Sequence, residues 1–280
     1  MSDDSSRKLF AELVLMALIS ENNMRLSSYT HEFIKNYEAA SAEILSSNDT
    51  LNVYQWVLRR VTLNHPSVAM YTTPVVLALH KEGRLYRYKK GDVCIEVSKG
   101  DTLIDAGIGW GDTTIYLAQL ADAPSGGHSY AFDILEQGIA ALGEQLQLNP
   151  AVKNITPILG ALSDKDGEKV NISPPSPGAS IVYEDTGSHA LTITIDQFVK
   201  SNDIKKIDFI KMDIEGAEVP ALKGAVNVIK LFKPKLAISA YHKWDDLLEI
   251  PMLINNMRSD YNYYLDCTTG FGGEAVLYCK

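Results

Sequence analysis

From residue 85 onward the chain alternates short runs rich in β-branched and aromatic residues with amphipathic stretches, and this alternation admits few folds. Strands are predicted at 102–106, 129–133, 155–159, 207–213, 236–240, 263–266 and 275–279, after weaker strand-like runs at 86–88 and 93–97. Helices are predicted between them at 113–120, 135–148, 217–230 and 245–258. Parallel neighbours need crossover connections, so this succession builds a mainly parallel sheet with helices on both faces. The last two strands have no helix between them. Joined through Thr268–Gly273, they are expected to form a hairpin that puts one antiparallel strand in the sheet.

The first 84 residues read differently. Apolar residues at Leu9, Leu13, Met16 and Ala17, at Phe33, Ile34, Tyr37, Ile44 and Leu45, and at Leu51, Tyr54, Val57 and Leu58 recur every three or four positions. This spacing predicts several amphipathic helices, hence a helical cap over 1–84 ahead of a catalytic domain over 85–280. Such a cap commonly supplies a substrate lid or a subunit contact, so a homo-oligomer through these helices is expected. The apolar run 9–19 is interrupted by Glu12, preceded by Asp3 and Asp4, and too short to cross a bilayer; a core helix is expected, not a membrane span. The stretch 163–190, with Pro174, Pro175, Pro177 and Gly178, reads as a long loop.

Charge and cysteines narrow the function. With 35 acidic against 26 basic residues the net charge is −9, which repels a nucleic-acid backbone and argues against DNA or RNA as substrate. The three cysteines, Cys94, Cys267 and Cys279, have neither metal-ligand spacing nor the makings of a disulfide framework, as expected of a cytoplasmic protein.

The first long strand runs into Asp105-Ala106-Gly107-Ile108-Gly109-Trp110-Gly111-Asp112, and a helix opens at Thr113. In an open α/β sheet this turn is where a nucleotide-like ligand lies. A dinucleotide fingerprint needs a third glycine at position 112, where the chain has Asp112; a pyrophosphate there would meet like charge. S-adenosylmethionine instead carries a sulfonium and an ammonium, which the Asp105 carboxylate suits. The next strand ends at Asp133, placed to accept both ribose hydroxyls. The bland reading is that Asp105 and Asp112 only cap the following helix and the glycines form a tight turn.

A second polar constellation follows the strand Ile207-Asp208-Phe209-Ile210-Lys211-Met212-Asp213. Lys211 inside a covered parallel strand must meet a carboxylate, and period two puts Lys211 and Asp213 on one face. Glu215 and Glu218 project together at the start of the next helix. One strand later, His242 follows Tyr241 at the same edge of the sheet. His242 is a candidate base or metal ligand. Asp213, Glu215 and Glu218 are candidates to orient an acceptor or hold Mg²⁺, and Lys211 joins the candidate catalytic set. Acids in a first helical turn also serve the helix dipole alone, the plain alternative for Glu218.

These residues resemble the FkbM-type methyltransferases of the class I superfamily. The resemblance rests on residues 103–117 (LIDAGIGWGDTTIYL), Tyr130 to Asp133, Leu148-Asn149-Pro150, Gly160-Ala161-Leu162-Ser163-Asp164, residues 209–224 (FIKMDIEGAEVPALKG) and 233–242 (KPKLAISAYH). It covers roughly residues 85–280. The family commonly has Glu-Pro after the second strand, where this chain has Asp133-Ile134, and Ala-Asn in the loop, where it has Ile108-Gly109-Trp110. The resemblance implies a Rossmann-like α/β fold, a seven-stranded sheet with one antiparallel strand, and S-adenosylmethionine-dependent O-methylation of a sugar or natural-product hydroxyl. The cofactor-binding set is then Asp105, Gly107, Gly109, Trp110, Thr113, Asp133 and Ala161. Two other classes compete: an NAD-dependent oxidoreductase, disfavoured by Asp112, and a non-catalytic adenosyl-binding module.

Overall fold

The structure, a computed structural model, describes residues 1–19, 25–27, 30–269 and 273–280. Helix α1 (Asp4–Ile19) lays Leu9, Leu13 and Met16 on Leu265, Cys267 and Ala275 at one edge of the central sheet. Helix α2 (His31–Ser46) opens at Thr30, whose hydroxyl accepts the Phe33 amide at 3.2 Å. No helix among the described residues is long and apolar enough to cross a membrane.

The expected helix through Leu51, Tyr54, Val57 and Leu58 does not form. Strands β1 (Thr50–Val53), β2 (Trp56–Asn64) and β3 (Ser67–Thr72) make an antiparallel meander there. The three-to-four spacing breaks down further along, where Val61 and Leu63, then Val68, Met70 and Thr72, alternate buried with less buried neighbours at period two. The β-branched residues of this segment favour that outcome. Residues 1–84 therefore hold helices and a small sheet in place of the expected all-helical cap. Helix α3 (Pro74–Glu82) follows, and then the ribbon of β4 (Tyr88–Lys90) and β5 (Val93–Ile95).

The central unit begins with β6 (Thr102–Ala106), α4 (Asp112–Ala121), β7 (His128–Asp133), α5 (Glu136–Leu148) and β8 (Ile155–Leu159). Between β8 and the next central strand the predicted loop 163–190 stays mostly irregular but carries short strands of a second sheet. Its strands are β9 (Ala161–Leu162), β10 (Lys169–Ile172), β11 (Ile181–Val182) and β12 (His189–Ile193), in the order β11-β10-β12-β9. Prolines cannot donate to a ladder, so Pro174, Pro175 and Pro177 fall in the connection between β10 and β11.

Helix α6 (Ile195–Ser201) leads to β13 (Phe209–Met212), α7 (Glu218–Lys223), α8 (Val226–Phe232), β14 (Lys235–Ser239), α9 (Asp246–Met257), β15 (Tyr263–Cys267) and β16 (Ala275–Cys279). The single helix predicted over 217–230 divides because Asp196 caps α8 from outside, accepting the Asn227 and Val228 amides at 2.9 Å each. The seven central strands lie in the order β15-β16-β14-β13-β6-β7-β8, all parallel except β16, which is antiparallel to both neighbours. This is the expected Rossmann-like α/β sheet with one antiparallel strand. Residues 270–272 of the expected Thr268–Gly273 connection lie outside the described residues.

The meander is held to this unit by amide side chains. On α5, Gln145 accepts the Tyr71 amide (2.9 Å) and donates to the carbonyls of Tyr71 (2.8 Å) and Trp110 (3.1 Å). One turn on, Asn149 pairs with both backbone groups of Ala69. These side chains act as the next strand for the free edge of β3. Gln145→Ala leaves buried backbone groups unpaired and is expected to cost about 2–4 kcal/mol in urea unfolding. The exposed neighbour Gln147→Ala should stay within about 0.5 kcal/mol of the parent.

Candidate functional site

A cavity of about 260 Å³ opens at the carboxyl ends of β6, β7 and β13, where the topology of an open α/β sheet leaves a crevice. Its wall includes Gly107, Gly109, Trp110, Thr113, Asp133 and Ala161 on one side and Lys211, Asp213, Glu215, Tyr241 and Glu274 on the other. Helix α3, Tyr54, Tyr86, Asp112 and residues 176–179 also line it.

The glycine loop takes its shape from close approach. Gly107 (φ +79°) lies against the end of β13 so tightly that a Cβ would sit 1.7 Å from the Asp213 carbonyl oxygen. At Gly109 (φ +58°) a Cβ would meet nothing within 4 Å, which leaves open space beside the cavity. The Gly109 amide donates to Asp133 Oδ2 at 3.1 Å and the Leu135 amide to Oδ1 at 2.8 Å, so the carboxylate stands fixed in the wall. Burial nevertheless lifts Asp133 to about 6, against the pull of those amides.

Asp105, expected to face the donor's cation, does not reach the cavity wall. It is fully buried and lies 3.3 Å from Lys211 Nζ, its register partner on β13. The Lys211 ammonium also donates to the carbonyls of Ala106 and Gly107, so its charge is committed to bracing the loop. Asp112 is likewise structural: it accepts Thr72 Oγ1 (2.5 Å), Trp110 Nε1 (2.9 Å) and the Thr113 amide (2.7 Å), with burial raising its pKa. Trp110 packs on Trp56 at 6.0 Å between ring centroids.

At the other end stand the acids. Asp213 accepts Tyr86 Oη at 2.6 Å and Tyr241 Oη at 3.3 Å. His242 is not in the cavity wall but behind it, its Nε2 3.4 Å from Asp213 and 3.6 Å from Glu215, its Nδ1 3.0 Å from Glu218. Burial disfavours the imidazolium, but Glu218, Asp213 and Glu215 outweigh it and raise its pKa to about 9. The imidazole expected to act as a base is therefore a proton-holding cation that ties three carboxylates together. Glu218, expected as a metal ligand, has Oε1 occupied by the Ile214 amide (2.9 Å) and by His242. Glu215 is raised by burial and by Asp213 and Glu218, and Glu274 is raised to about 7 by burial and by Asp213.

Tyr54, Tyr86, Tyr241 and Glu274 belong to this cavity although motif reading passed over them. One signal for three of them is conformational. Four of the seven described non-glycine residues with positive φ, Tyr54, Tyr86, Glu215 and Glu274, line this cavity. Strained backbone of this kind gathers at functional sites, but it is visible only once the chain is folded.

Residues 103–264 match the family model described as the methyltransferase FkbM domain. No curated protein matches the chain. Among solved structures it is similar to methyltransferase FkbM from Methylobacillus flagellatus KT, at 26% identity and a TM-score of 0.53, over 69% of this chain and 46% of that one. This chain thus spans less than half the length of that protein. It is also similar to the Methanococcus jannaschii fibrillarin pre-rRNA processing protein (17% identity, 68% and 70% of the two chains, TM-score 0.44). A further likeness is to Aeropyrum pernix fibrillarin in complex with S-adenosyl-L-methionine (15%, 68% and 71%, TM-score 0.43); at these values neither fibrillarin carries an argument about this chain. The family match spans more than half of the chain and includes the strands and turns that carry the glycine loop, Asp133, Asp213 and His242, so the chain belongs to the FkbM methyltransferase family.

Proposed function

We propose that this chain is an S-adenosylmethionine-dependent O-methyltransferase acting on a hydroxyl of a small molecule or saccharide. One observation carries the reading. A single cavity joins a glycine loop and a half-buried ribose-type carboxylate at one end to Asp213, Glu215 and Glu274 at the other, and its one described lysine is already paired. A pyrophosphate would meet that wall as like charge, which disfavours the NAD-dependent alternative, whereas a sulfonium meets it as opposite charge. Gly107, Gly109, Trp110, Thr113, Asp133 and Ala161 would hold the cofactor. When bound, it supplies a methyl carbon made electrophilic by its positive sulfur.

The residues of the chain have two tasks. The first is alignment: Asp213, fixed by two tyrosine hydroxyls, orients the acceptor oxygen, and positioning supplies much of the rate in such transfers. The second is removal of the acceptor proton. His242 already holds a proton below about pH 9, whereas Glu274, at about 7, faces the cavity with an affinity matched to neutral pH. The acceptor proton therefore passes to the Glu274 carboxylate.

A second reading is favoured by one geometric fact: single ligand atoms of Asp213, Glu215 and His242 lie within 4.8 Å of one another. A divalent cation such as Mg²⁺ would there replace the His242 proton and lower the acceptor pKa directly. Exhaustive chelation separates the two, since the proton-balanced site keeps full turnover and the metal-bound site loses it.

Two further outcomes are expected. Glu274→Gln should lower kcat about 10²–10⁴-fold with cofactor affinity unchanged, measured by product mass spectrometry and calorimetry. If the wild-type chain binds the cofactor tightly yet methylates nothing in a broad hydroxyl panel, it is instead a non-catalytic adenosyl-binding module. For Asp133, whose pKa is raised to about 6, the charged acceptor is present above that pH and lost below it. Cofactor affinity measured by calorimetry should therefore be level above about pH 7 and fall as pH drops through 6.

A further inference from the structure

We propose that Tyr54 is a cofactor-binding residue: with the proline-rich connection 173–180 it closes the adenosyl end of the cavity, so a segment preceding the matched domain completes the donor site. The proposal rests on the methyl-donor reading above.

Three independent observations lead to it. The first is position. Tyr54 lines the cavity beside Gly109, Trp110, Asp133 and Leu135, the end where a ribose and its base belong. Burial and the nearby Asp133 carboxylate both push the phenol above its ordinary value, so the ring stays uncharged.

The second is a roof made of two pieces. Leu135, Ile172 and Ala179 form a small apolar cluster, with Tyr54, Ile134 and Ala190 packed against it. The β1–β2 turn and the proline-rich connection thus meet over the turn that follows Asp133. A flat aromatic face in such a wall is suited to the flat base of an adenosyl group.

The third is backbone conformation. Tyr54 and Gln55 form the two-residue turn between Val53 and Trp56, which are paired across the hairpin. Tyr54 holds φ +53°, a conformation in which such turns favour glycine. The ring also packs against Val53 and Leu58 of the meander, but the turn itself favours glycine at this position. The meander is also no loose flap: Trp56 packs on Trp110, and β3 is tied to α5 through Gln145.

The test uses the full chain with S-adenosylhomocysteine and 5′-methylthioadenosine, which lacks the amino-acid end, as calorimetric ligands. Tyr54→Gly relieves the backbone and removes only the ring. It should melt no lower than the parent without ligand, yet bind both ligands about tenfold more weakly. Tyr54→Phe should bind within about twofold of the parent, and Val57→Ala, on the same hairpin but outside the cavity, should not change either affinity. Unchanged affinity of Tyr54→Gly for both ligands overturns the proposal, as does a loss confined to S-adenosylhomocysteine. Should Tyr54→Gly melt lower, amide exchange at residues 50–58 of the wild-type chain decides: added protection with ligand supports the proposal, and unchanged protection overturns it. A wild-type chain that binds neither ligand removes the methyl-donor reading itself, a result distinguishable from failure at Tyr54.

Discussion

The buried pair of Lys211 and Asp105 is the constraint on which the cavity depends. The two residues are register partners on adjacent parallel strands, both almost without solvent exposure, and neither charge has water to fall back on. Burying two charges costs more than a simple contact returns unless other partners fill the remaining donor positions. Here the carbonyls of Ala106 and Gly107 do so. The ammonium that neutralises Asp105 thereby pins the first residues of the glycine loop, and the close contact of Gly107 with the Asp213 carbonyl locks the loop against β13. The ion pair is thus the foundation beneath the ligand site, with Lys211 reaching the wall and Asp105 lying behind it.

Above it, charge is distributed unevenly. The glycine-loop end carries Asp133 and the hydrogen-bonded Asp112, while the other end gathers Asp213, Glu215 and Glu274, with Glu218 and His242 behind. Carboxylates this close raise one another's proton affinity, and the imidazolium behind them keeps the cluster together. The result is a graded set: a structural cation, a carboxylate held by two phenols, and a glutamate whose proton affinity is raised towards neutrality.

The N-terminal segments serve this arrangement from two sides. Helix α1 covers the outer hairpin of the central sheet and has no part in the cavity wall. The meander and helix α3 instead stand beside the glycine loop, and the segment after α3 brings Tyr86 onto Asp213. In the proposed enzyme, segments outside the matched domain add Tyr54 to the adenosyl roof and Tyr86 and Glu274 to the acceptor compartment, beside residues of the domain itself.

Much of this was legible in the residues themselves. The order of the seven central strands, the glycine loop, Asp133 and the acids after β13 follow from local patterns, because strand period, helix period and turn chemistry are short-range properties, whereas the second sheet and α6 were not read. The need for Lys211 to find a carboxylate was also legible, since a charge in a covered strand admits no other outcome. Its choice of Asp105 was not, because register between strands 106 residues apart is decided only by how the sheet assembles. The meander at 50–72 was lost to an accidental helical spacing, and its true edge partners, Gln145 and Asn149, lie on a distant helix. Glu274, Tyr86 and Tyr54 enter the site through long-range packing and left-handed backbone, which no local pattern encodes. The sequence by itself determined which chemical groups the chain carries and the sheet that presents them; only the tertiary structure decided which carboxylate is buried as a counter-ion, which faces a ligand, and that His242 holds its proton, because each depends on desolvation and neighbours that exist only after folding.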